Sequence, residues 1–419
     1  MNRNYLLLFI FGILLFWILR ISYWQITYEL PFSDMADNDN IAHRIVKNFD
    51  FSHDDFWKTY YSPTLPALRA IQILALGDNL TGWQFFQAAI TFFSLLWLVC
   101  EIIKVSKVIW LGLALLWISA LSKSSIFWSL KVATEGIAEG LVYLSAAAAV
   151  FALRKKDVYS FSLLGVIFTV SILNKPNMFF VIPIFLVLFS LSQSSFRIKK
   201  ISKHLTSKTI FLIEIFILAI IFSWSPWLIR SYKLYGQVVP FNTHGPFSFF
   251  WELGKVEIKL SNDPSTYIYV TSEQLEKAAH EYPNDYQAYL YGNSLVSLWL
   301  KNNWQEYLLI INKRLARIVF NRTIYLTQVS RDILFSNMIN YILLDKTPIL
   351  IFTGVTGLII LAVYYSSYLY ILPILAIIPL FTATLFLGYP RMLEPMIPLI
   401  LFGNCGWIMF YVRKFKNES

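Results

Sequence analysis

An acidic segment follows the first long apolar run of the chain. Residues 31–44 read PFSDMADNDNIAHR and place Asp34, Asp37 and Asp39 within six residues. Carboxylates crowded beside a membrane surface are costly to desolvate, so their presence there requires a chemical reason. In a helix, Asp34 and Asp37 share a face while Asp39 turns away. Such a pair could take up a proton or bind a cation, although acidic residues also simply favour a helix N-terminus.

Basic and polar residues from distant parts of the chain lie at the predicted outer ends of apolar segments. Glu135 and Glu139 are four residues apart, so they share a helix face that should turn towards protein or water. Pro63 and Pro66 bend the chain before a short apolar piece, as in an interfacial or re-entrant helix. Acids and bases in one layer predict a site for an anionic headgroup beside carboxylates. Taken singly, each basic residue is better explained as an interfacial side chain that snorkels to water. The basic residues of this layer are Lys58, Arg69, Lys175, Arg230 and Arg391, with Tyr61 and His244 beside them.

The composition indicates the class of protein whose elements must position these residues. Of 419 residues, 57% are hydrophobic and 14% are charged, against roughly 25% charged in soluble domains. The chain is therefore expected to be a polytopic membrane protein. Its net charge of +10 is explained by basic cytoplasmic loops and requires no nucleic acid partner. Cys100 and Cys405 lie in apolar runs and show neither a metal spacing nor a disulfide framework.

A membrane span needs ~20 mainly apolar residues. On that test the sequence predicts about ten transmembrane helices. The run from Tyr5 to Trp24 has no small-residue cleavage site after it, so we interpret it as a retained span. Lys and Arg cluster in alternate loops, which places both termini in the cytoplasm and the acidic segment on the outer side of the plasma membrane. The predicted spans lie near residues 5–23, 84–103, 107–121, 136–153, 158–174, 177–192, 209–229, 348–364, 367–387 and 394–412.

Two long segments, 24–82 and 231–346, then lie outside the membrane. The second is too long to lack structure of its own, and helical patterns occur at 272–281 after a Ser N-cap, at 285–299 and at 304–320. The predicted fold is an all-α polytopic membrane protein with a long first outer loop and a small, mainly helical outer domain, not a β module. Its predicted parts are a transmembrane module, the outer domain and the C-terminal helices, at 1–230, 231–346 and 347–419.

With these motifs in view, the chain resembles the GT-C superfamily of integral-membrane glycosyltransferases. The branch it is most similar to contains protein mannosyltransferases and lipid A aminoarabinose transferases. The resemblance extends along most of the chain, and its most specific part combines PWLIRSYKLYG with VPFNTHG. The other stretches that carry it are SDMADNDNIA, YYSPTLPALRA, TEGIAEGL, LNKPNMFFVIPIFL, WQEYLLIINKRLAR and GYPRMLEPMIPLILF.

The resemblance implies transfer of a sugar from a polyprenyl-phosphate-linked donor to a lipid, glycan or protein acceptor on the outer face. An acidic residue of the first outer loop would act as base, a role that falls first to Asp34 and next to Asp37. Displacement with inversion also needs a cation at the departing phosphate. Arg391 is the first choice, because the family has an arginine at the matching place. Lys58, Arg69, Lys175 and Arg230 are further candidates, and Glu135, Tyr61 and His244 complete the implied substrate site.

The chain also departs from the family. Met35 stands where an acidic residue or a tyrosine is frequent, and Ser62-Pro63-Thr64-Leu65-Pro66 replaces a lysine-proline-proline pattern. A phosphate-binding lysine is therefore not implied in that loop. Oxygen ligands from Asp34, Asp37 and Glu135 would suit Mg²⁺ or Mn²⁺, but metal-free action is favoured.

Two other classes of protein fit parts of the pattern. A secondary transporter would also bury charges among its spans, yet it should show paired halves, and the long outer segments have no counterpart in a second half. An O-antigen ligase or polymerase also handles polyprenyl phosphates, but the early acidic loop argues against it.

Overall fold

The computed structural model describes residues 3–26, 31, 33–193, 207–254, 256–259, 267–320, 347–386 and 393–418. This part of the chain is mainly helical. In chain order its elements are α1 (Arg3–Ile26), α2 (Asp34–Asn48), α3 (Thr64–Leu76), α4 (Leu80–Ser106), α5 (Ile109–Leu121), α6 (Lys123–Trp128), α7 (Thr134–Lys155), α8 (Val158–Asn174), α9 (Val181–Gln193), α10 (Ser207–Tyr235), α11 (Gly245–Leu253), β1 (Val256–Lys259), β2 (Tyr267–Val270), α12 (Ser272–Ala279), α13 (Asp285–Phe320), α14 (Pro348–Tyr364), α15 (Ile371–Phe386) and α16 (Ile397–Glu418). Short 3₁₀ turns at Pro176–Phe180, Ser367–Tyr370 and Glu394–Met396 precede α9, α15 and α16.

Each of the ten predicted spans coincides with an apolar helix. Five helices among the described residues are long and apolar enough to cross a membrane: α1, α4, α7, α10 and α16 with its preceding turn. The other apolar helices are shorter, at 10–17 residues. The count of ten spans, the cytoplasmic termini and the three-part division of the chain therefore stay predictions.

Helix α7 lies at the centre of the membrane part, where it packs against α4 and α8. Its middle carries four consecutive alanines, Ala146–Ala149, all fully buried. Small side chains allow neighbouring helices to approach closely, which is how helices associate where the surroundings are already apolar. The N-terminal end of α7, at Thr134, carries Glu135 and Glu139, the glutamates that the sequence singled out.

The closest helix contact joins α14 and α16. A Cβ atom built on Gly403 would lie 1.9 Å from the carbonyl oxygen of Gly354, and one on Gly357 would lie 2.0 Å from that of Gly403. The backbones therefore touch directly. Thr353 Oγ1 donates a hydrogen bond of 2.6 Å to Asn404 Oδ1 across the same contact. Such polar bonds between helices add to the packing inside a membrane.

We expect Gly403→Ala to destabilise the protein by about 1–3 kcal/mol or more, because overpacking of this size forces the backbones apart. The measurement is the thermal unfolding midpoint of purified protein in mild detergent. Gly245→Ala is the matched control, since a Cβ atom there meets nothing within 4 Å. Equal midpoints for the two variants would contradict the close contact.

The segment predicted to lie outside the membrane, here called the outer domain, contains α11, β1, β2, α12 and α13. Its core is aromatic and includes Phe247, Phe250, Trp299 and also Trp57 of the first outer loop. Its described part is mainly helical but contains an antiparallel pair in which Val256 lies opposite Val270. The sequence did not indicate these strands, because four residues each are too few to show a period.

One local prediction in this domain needs correction. Thr271, not Ser272, caps α12, through a capping box in which its hydroxyl accepts from the backbone amide of Gln274. The helices predicted at 285–299 and 304–320 are both present: they are the two arms of α13, which meet at a kink at Asn303, where the backbone is not helical. Beyond the kink, Arg314 donates a 2.9 Å hydrogen bond to the Leu385 carbonyl of α15, so the outer domain is anchored on the membrane helices.

Candidate active site

The acidic segment forms helix α2, which begins at Asp34. Asp34 and Asp37 share its first turn and one face, as predicted. The Asp34 side chain is exposed, and its backbone carbonyl accepts a 2.6 Å hydrogen bond from Asn38 Nδ2. A carboxylate in this position is stabilised by the helix N-terminus.

Asp37 is held by two side chains from the first outer loop. Tyr61 Oη donates to Asp37 Oδ2 at 2.6 Å, and His53 Nε2 lies 3.2 Å from Asp37 Oδ1. Burial, followed by this hydrogen bond to Asp37, raises the pKa of Tyr61, so its hydroxyl stays protonated and donates. The carboxylate of Asp37 is 30% exposed. It is therefore fixed in orientation and still accessible.

Asp39 has a different role. Its Oδ1 accepts a 2.7 Å hydrogen bond from Arg69, whose guanidinium also donates to Asp78 at 2.8 Å. Arg69 is 2% exposed. The sequence suggested Arg69 as a phosphate ligand, but the structure places it in an ion-pair cluster that joins α2 to α3. His43 completes this cluster, with its Nε2 2.8 Å from Asp78.

This cluster predicts a pH-dependent contribution to stability. The hydrogen bond between His43 and Asp78 is the largest influence on both groups, raising the pKa of His43 and lowering that of Asp78. A raised histidine pKa contributes stability that is complete below its unfolded pKa of about 6.5 and is lost as pH rises through the folded value. The lowered Asp78 pKa contributes above about 3.9 and is lost as pH falls through its folded value.

We therefore expect the difference in unfolding midpoint between wild type and His43→Gln to be larger at about pH 5.5 than at about pH 8.5. Thermal unfolding at the two pH values measures it. A difference that stays constant or grows with rising pH would contradict the pairing.

The segment containing VPFNTHG lies along the first outer loop. The Thr243 amide donates to the Thr59 carbonyl at 3.0 Å, and Asn242 Nδ2 donates to Ser62 Oγ at 3.0 Å. His244 is thereby brought against the loop tyrosines, with its ring centre 4.4 Å from that of Tyr60 and 6.4 Å from that of Tyr61 in a stacked arrangement. The structure thus brings Asp37, Tyr61 and His244 together, with Asp34 on the same face of α2 as Asp37.

Asp285, which the sequence marked only as a helix start, fastens this assembly. Its side chain is fully buried and accepts hydrogen bonds from the Thr59 amide at 2.8 Å, Tyr235 Oη at 2.7 Å and Thr243 Oγ1 at 3.2 Å. A buried carboxylate is stable only when it is well bonded. No local pattern distinguishes this aspartate from an ordinary first-turn residue. Its partners are distant in sequence: Thr59 is 226 positions away and Tyr235 is 50 positions away.

Arg230 lies beneath the first outer loop. It donates to Ser52 Oγ at 3.3 Å and to the Lys58 carbonyl at 3.0 Å, and its guanidinium stands 5.3 Å from the Trp227 ring centre. Within the described residues its Nη1 atom makes no hydrogen bond. Arg230 therefore anchors the loop, and Lys58 takes part in this contact through its backbone carbonyl.

The second acidic position predicted from the sequence forms a buried ion pair. Lys175 Nζ lies 3.1 Å from Glu135 Oε1, where the lysine side chain is 10% exposed and the glutamate 4%. Asn174 donates to the Thr134 carbonyl at 3.2 Å, and Thr64 Oγ1 donates to the Val170 carbonyl at 3.1 Å. The ion pair therefore lies where α3, α7 and α8 meet, and Thr64, which bonds α3 to α8 there, is three residues along the chain from Tyr61.

Arg391, the first choice for the donor phosphate, lies outside the described residues. Across the described ranges, no three His, Cys, Asp or Glu side chains are grouped so as to hold a metal ion. Asp37 is bonded to Tyr61 and His53, and Glu135 to Lys175, so these carboxylates do not converge as ligands with Asp34.

No family model and no curated protein matches the chain. The solved structures that match include two of the archaeal oligosaccharyltransferase AglB from Archaeoglobus fulgidus. One, in complex with an inhibitory peptide and a dolichol-phosphate, is 12% identical with a TM-score of 0.57, and the other, in the apo form, is 11% identical with the same TM-score. Each match covers 100% of this chain and 52% of that protein, so the chain spans about half its length. At this identity the likeness establishes the fold, which is the one the sequence resemblance predicted: the chain has the GT-C fold.

Proposed function

We propose that this protein is a membrane glycosyltransferase, which moves a sugar from a polyprenyl-phosphate-linked donor to an acceptor on the outer face of the membrane. The observation that carries the proposal is the carboxylate of Asp37, which Tyr61 and His53 hold in a fixed orientation beside the exposed Asp34. Among the three clustered aspartates, Asp39 is bound to a buried arginine. A carboxylate that pairs closely with a cation is a weaker base, so Asp37 fits the role of base better.

The proposed reaction is an inverting displacement. The acceptor oxygen forms a bond to the anomeric carbon while its proton passes to a carboxylate oxygen of Asp37. The bond between that carbon and the phosphate oxygen breaks, and its electron pair leaves with the polyprenyl phosphate. A positioned base contributes ~10²–10⁴-fold to such a step. A cation stabilises the charge on the leaving phosphate, a role we assign to Arg230 and Arg391.

Two further points support a lipid-linked donor. The fold is shared with an oligosaccharyltransferase whose structure holds a dolichol-phosphate and a peptide. In this chain α2, which carries Asp34 and Asp37, packs against α3, and α3 packs against the apolar helices α4 and α8, so apolar helices for a lipid lie near these carboxylates. The acceptor class, lipid, glycan or protein, is set by the pocket and is not part of the proposal.

The direct test is sugar transfer by the purified protein in proteoliposomes that contain a radiolabelled polyprenyl-phosphate sugar. The readout is label moved from the lipid donor to an added cell-envelope extract. We expect time-dependent transfer that boiled protein does not catalyse. Uptake of free substrate into the vesicles, without glycosidic product from any lipid-linked sugar, would overturn the proposal in favour of a transporter.

A further inference from the structure

His53 lies between two carboxylates at the edge of the proposed active site. Its Nε2 is 3.2 Å from Asp37 Oδ1, and its Nδ1 is 3.3 Å from Asp54 Oδ2. The contact between Nδ1 and Asp54 has the distance of an ion pair but not the geometry of a hydrogen bond. Nδ1 accordingly has no hydrogen-bond partner in the described residues. We propose that His53 is a positioning residue for Asp37 and that Asp54 orients His53 in turn. This inference rests on the proposed function.

The Asp54 end of this chain of contacts is rigid. Asp54 Oδ1 accepts hydrogen bonds from the Phe56 and Trp57 amides at 2.8 and 2.6 Å, which leaves Oδ2 facing the imidazole. Burial alone would raise the pKa of Asp54, but the hydrogen bonds from the Trp57 and Phe56 amides, together with the interaction with His53, outweigh it and hold that pKa below its usual range. Asp54 therefore presents a negative charge to His53 at neutral pH.

The outer domain holds this turn in place. The Trp57 ring is 9% exposed and packs against Phe247 at 5.2 Å between ring centres, and the Trp57 carbonyl accepts a hydrogen bond from the His53 amide at 2.9 Å. The imidazole position is thus set by the packing of the outer domain on the first outer loop. Through His53, that packing reaches the carboxylate proposed to do the chemistry.

The exposure of these groups favours a functional role over a structural one. His53 and Asp37 are 29% and 30% exposed, and ion pairs exposed to solvent contribute little to stability. The groups facing the imidazole are Asp37 from α2, Asp54 from its own turn and the Tyr61 ring, whose centre lies 5.6 Å away. Arg44 reaches only the His53 carbonyl, at 3.5 Å, and its charge is paired with Asp50.

A carboxylate has about four lone-pair sites, so bonds from His53 and Tyr61 leave others free for the acceptor proton. The bonds from His53 and Tyr61 prevent the Asp37 carboxylate from rotating. A misplacement of about 1 Å can cost ~10²-fold in rate. We therefore expect His53→Ala to lower kcat ~10²-fold with the KM for the donor unchanged.

The experiment compares transfer kinetics of wild type, His53→Ala, His53→Gln and His43→Ala in proteoliposomes. His43 is a matched control because it also lies between two carboxylates, Asp39 and Asp78, but in the cluster that joins α2 to α3. His53→Gln keeps an N–H donor of similar reach, so its kcat should stay within ~10-fold of wild type. Equal kcat values for His53→Ala and His43→Ala, at equal folded abundance, overturn the inference.

A second measurement keeps the inference testable whatever the activity. ¹⁵N-histidine NMR of the protein in detergent should show that Asp37→Asn shifts the His53 Nε2 resonance and that Asp54→Asn shifts the Nδ1 resonance. Failure of the wild type to transfer sugar would count against the proposed function alone. Resonances that neither substitution moves would overturn the assignment of His53 between the two carboxylates.

Discussion

Asp37→Asn is expected to lower the rate of sugar transfer ~10²–10⁴-fold, because it removes the proposed base while preserving its size. The amide can still accept the hydrogen bond from Tyr61, so the fold of the first outer loop should be unchanged. The measurement is kcat in the proteoliposome assay, with the amount of folded protein determined by size-exclusion chromatography. A loss confined to kcat indicates an interaction made in the transition state.

Two companion variants sharpen this result. Asp55→Asn is the matched control, because Asp55 lies in the same loop with a fully exposed side chain and should retain wild-type kcat. Asp34→Asn tests the role that the family resemblance assigned first to that residue. If Asp34→Asn abolishes transfer while Asp37→Asn retains it, the base is Asp34 and the assignment to Asp37 is wrong.

The second large effect is expected on stability, at the ion pair between Glu135 and Lys175. Lys175→Met would leave the Glu135 carboxylate, 4% exposed, without its cation in a region enclosed by three helices. Breaking a buried pair by removing one partner costs about 3–5 kcal/mol, because the remaining charge is still desolvated. The unfolding free energy in detergent should fall by this amount.

The design includes a rescue and a control. Glu135→Gln combined with Lys175→Met removes both charges, so it should recover part of the loss, since replacing a buried pair by neutral groups is often tolerated. Lys277→Met breaks the pair with Glu273, in which both side chains are 75% exposed, and should cost about 0–1 kcal/mol. Equal losses for Lys175→Met and Lys277→Met would show that burial does not dominate at Glu135.

Local features of the sequence were sufficient to predict the helices. A backbone in lipid must satisfy its hydrogen bonds within the segment, so an apolar run is helical whatever its neighbours are. This is why all ten predicted spans coincide with helices. Spacing likewise placed Asp34 and Asp37 on one face of α2, because the period of the helix does not depend on tertiary contacts.

The sequence grouped acidic and basic residues in one predicted outer layer, but it gave no indication of how they pair. Arg69 and Lys175 were both proposed as phosphate ligands, and the structure pairs them with Asp39 and Glu135 instead. A basic residue near an anionic substrate site and one that neutralises a neighbouring carboxylate look the same in sequence. Which of the two roles a basic residue has depends on whether the helix end that packs opposite it carries a carboxylate.

His53 and Asp285 were not predicted at all. Asp285 meets Thr59 across 226 positions, and His53 meets Asp37 across 16. Composition, periodicity and capping patterns report on a chain segment and its nearest neighbours, so they determined the helices and the face that carries the aspartates. Side-chain pairs between distant segments depend on how those segments pack, and only the tertiary structure decided which carboxylate is neutralised, which is buried and which is left open for chemistry.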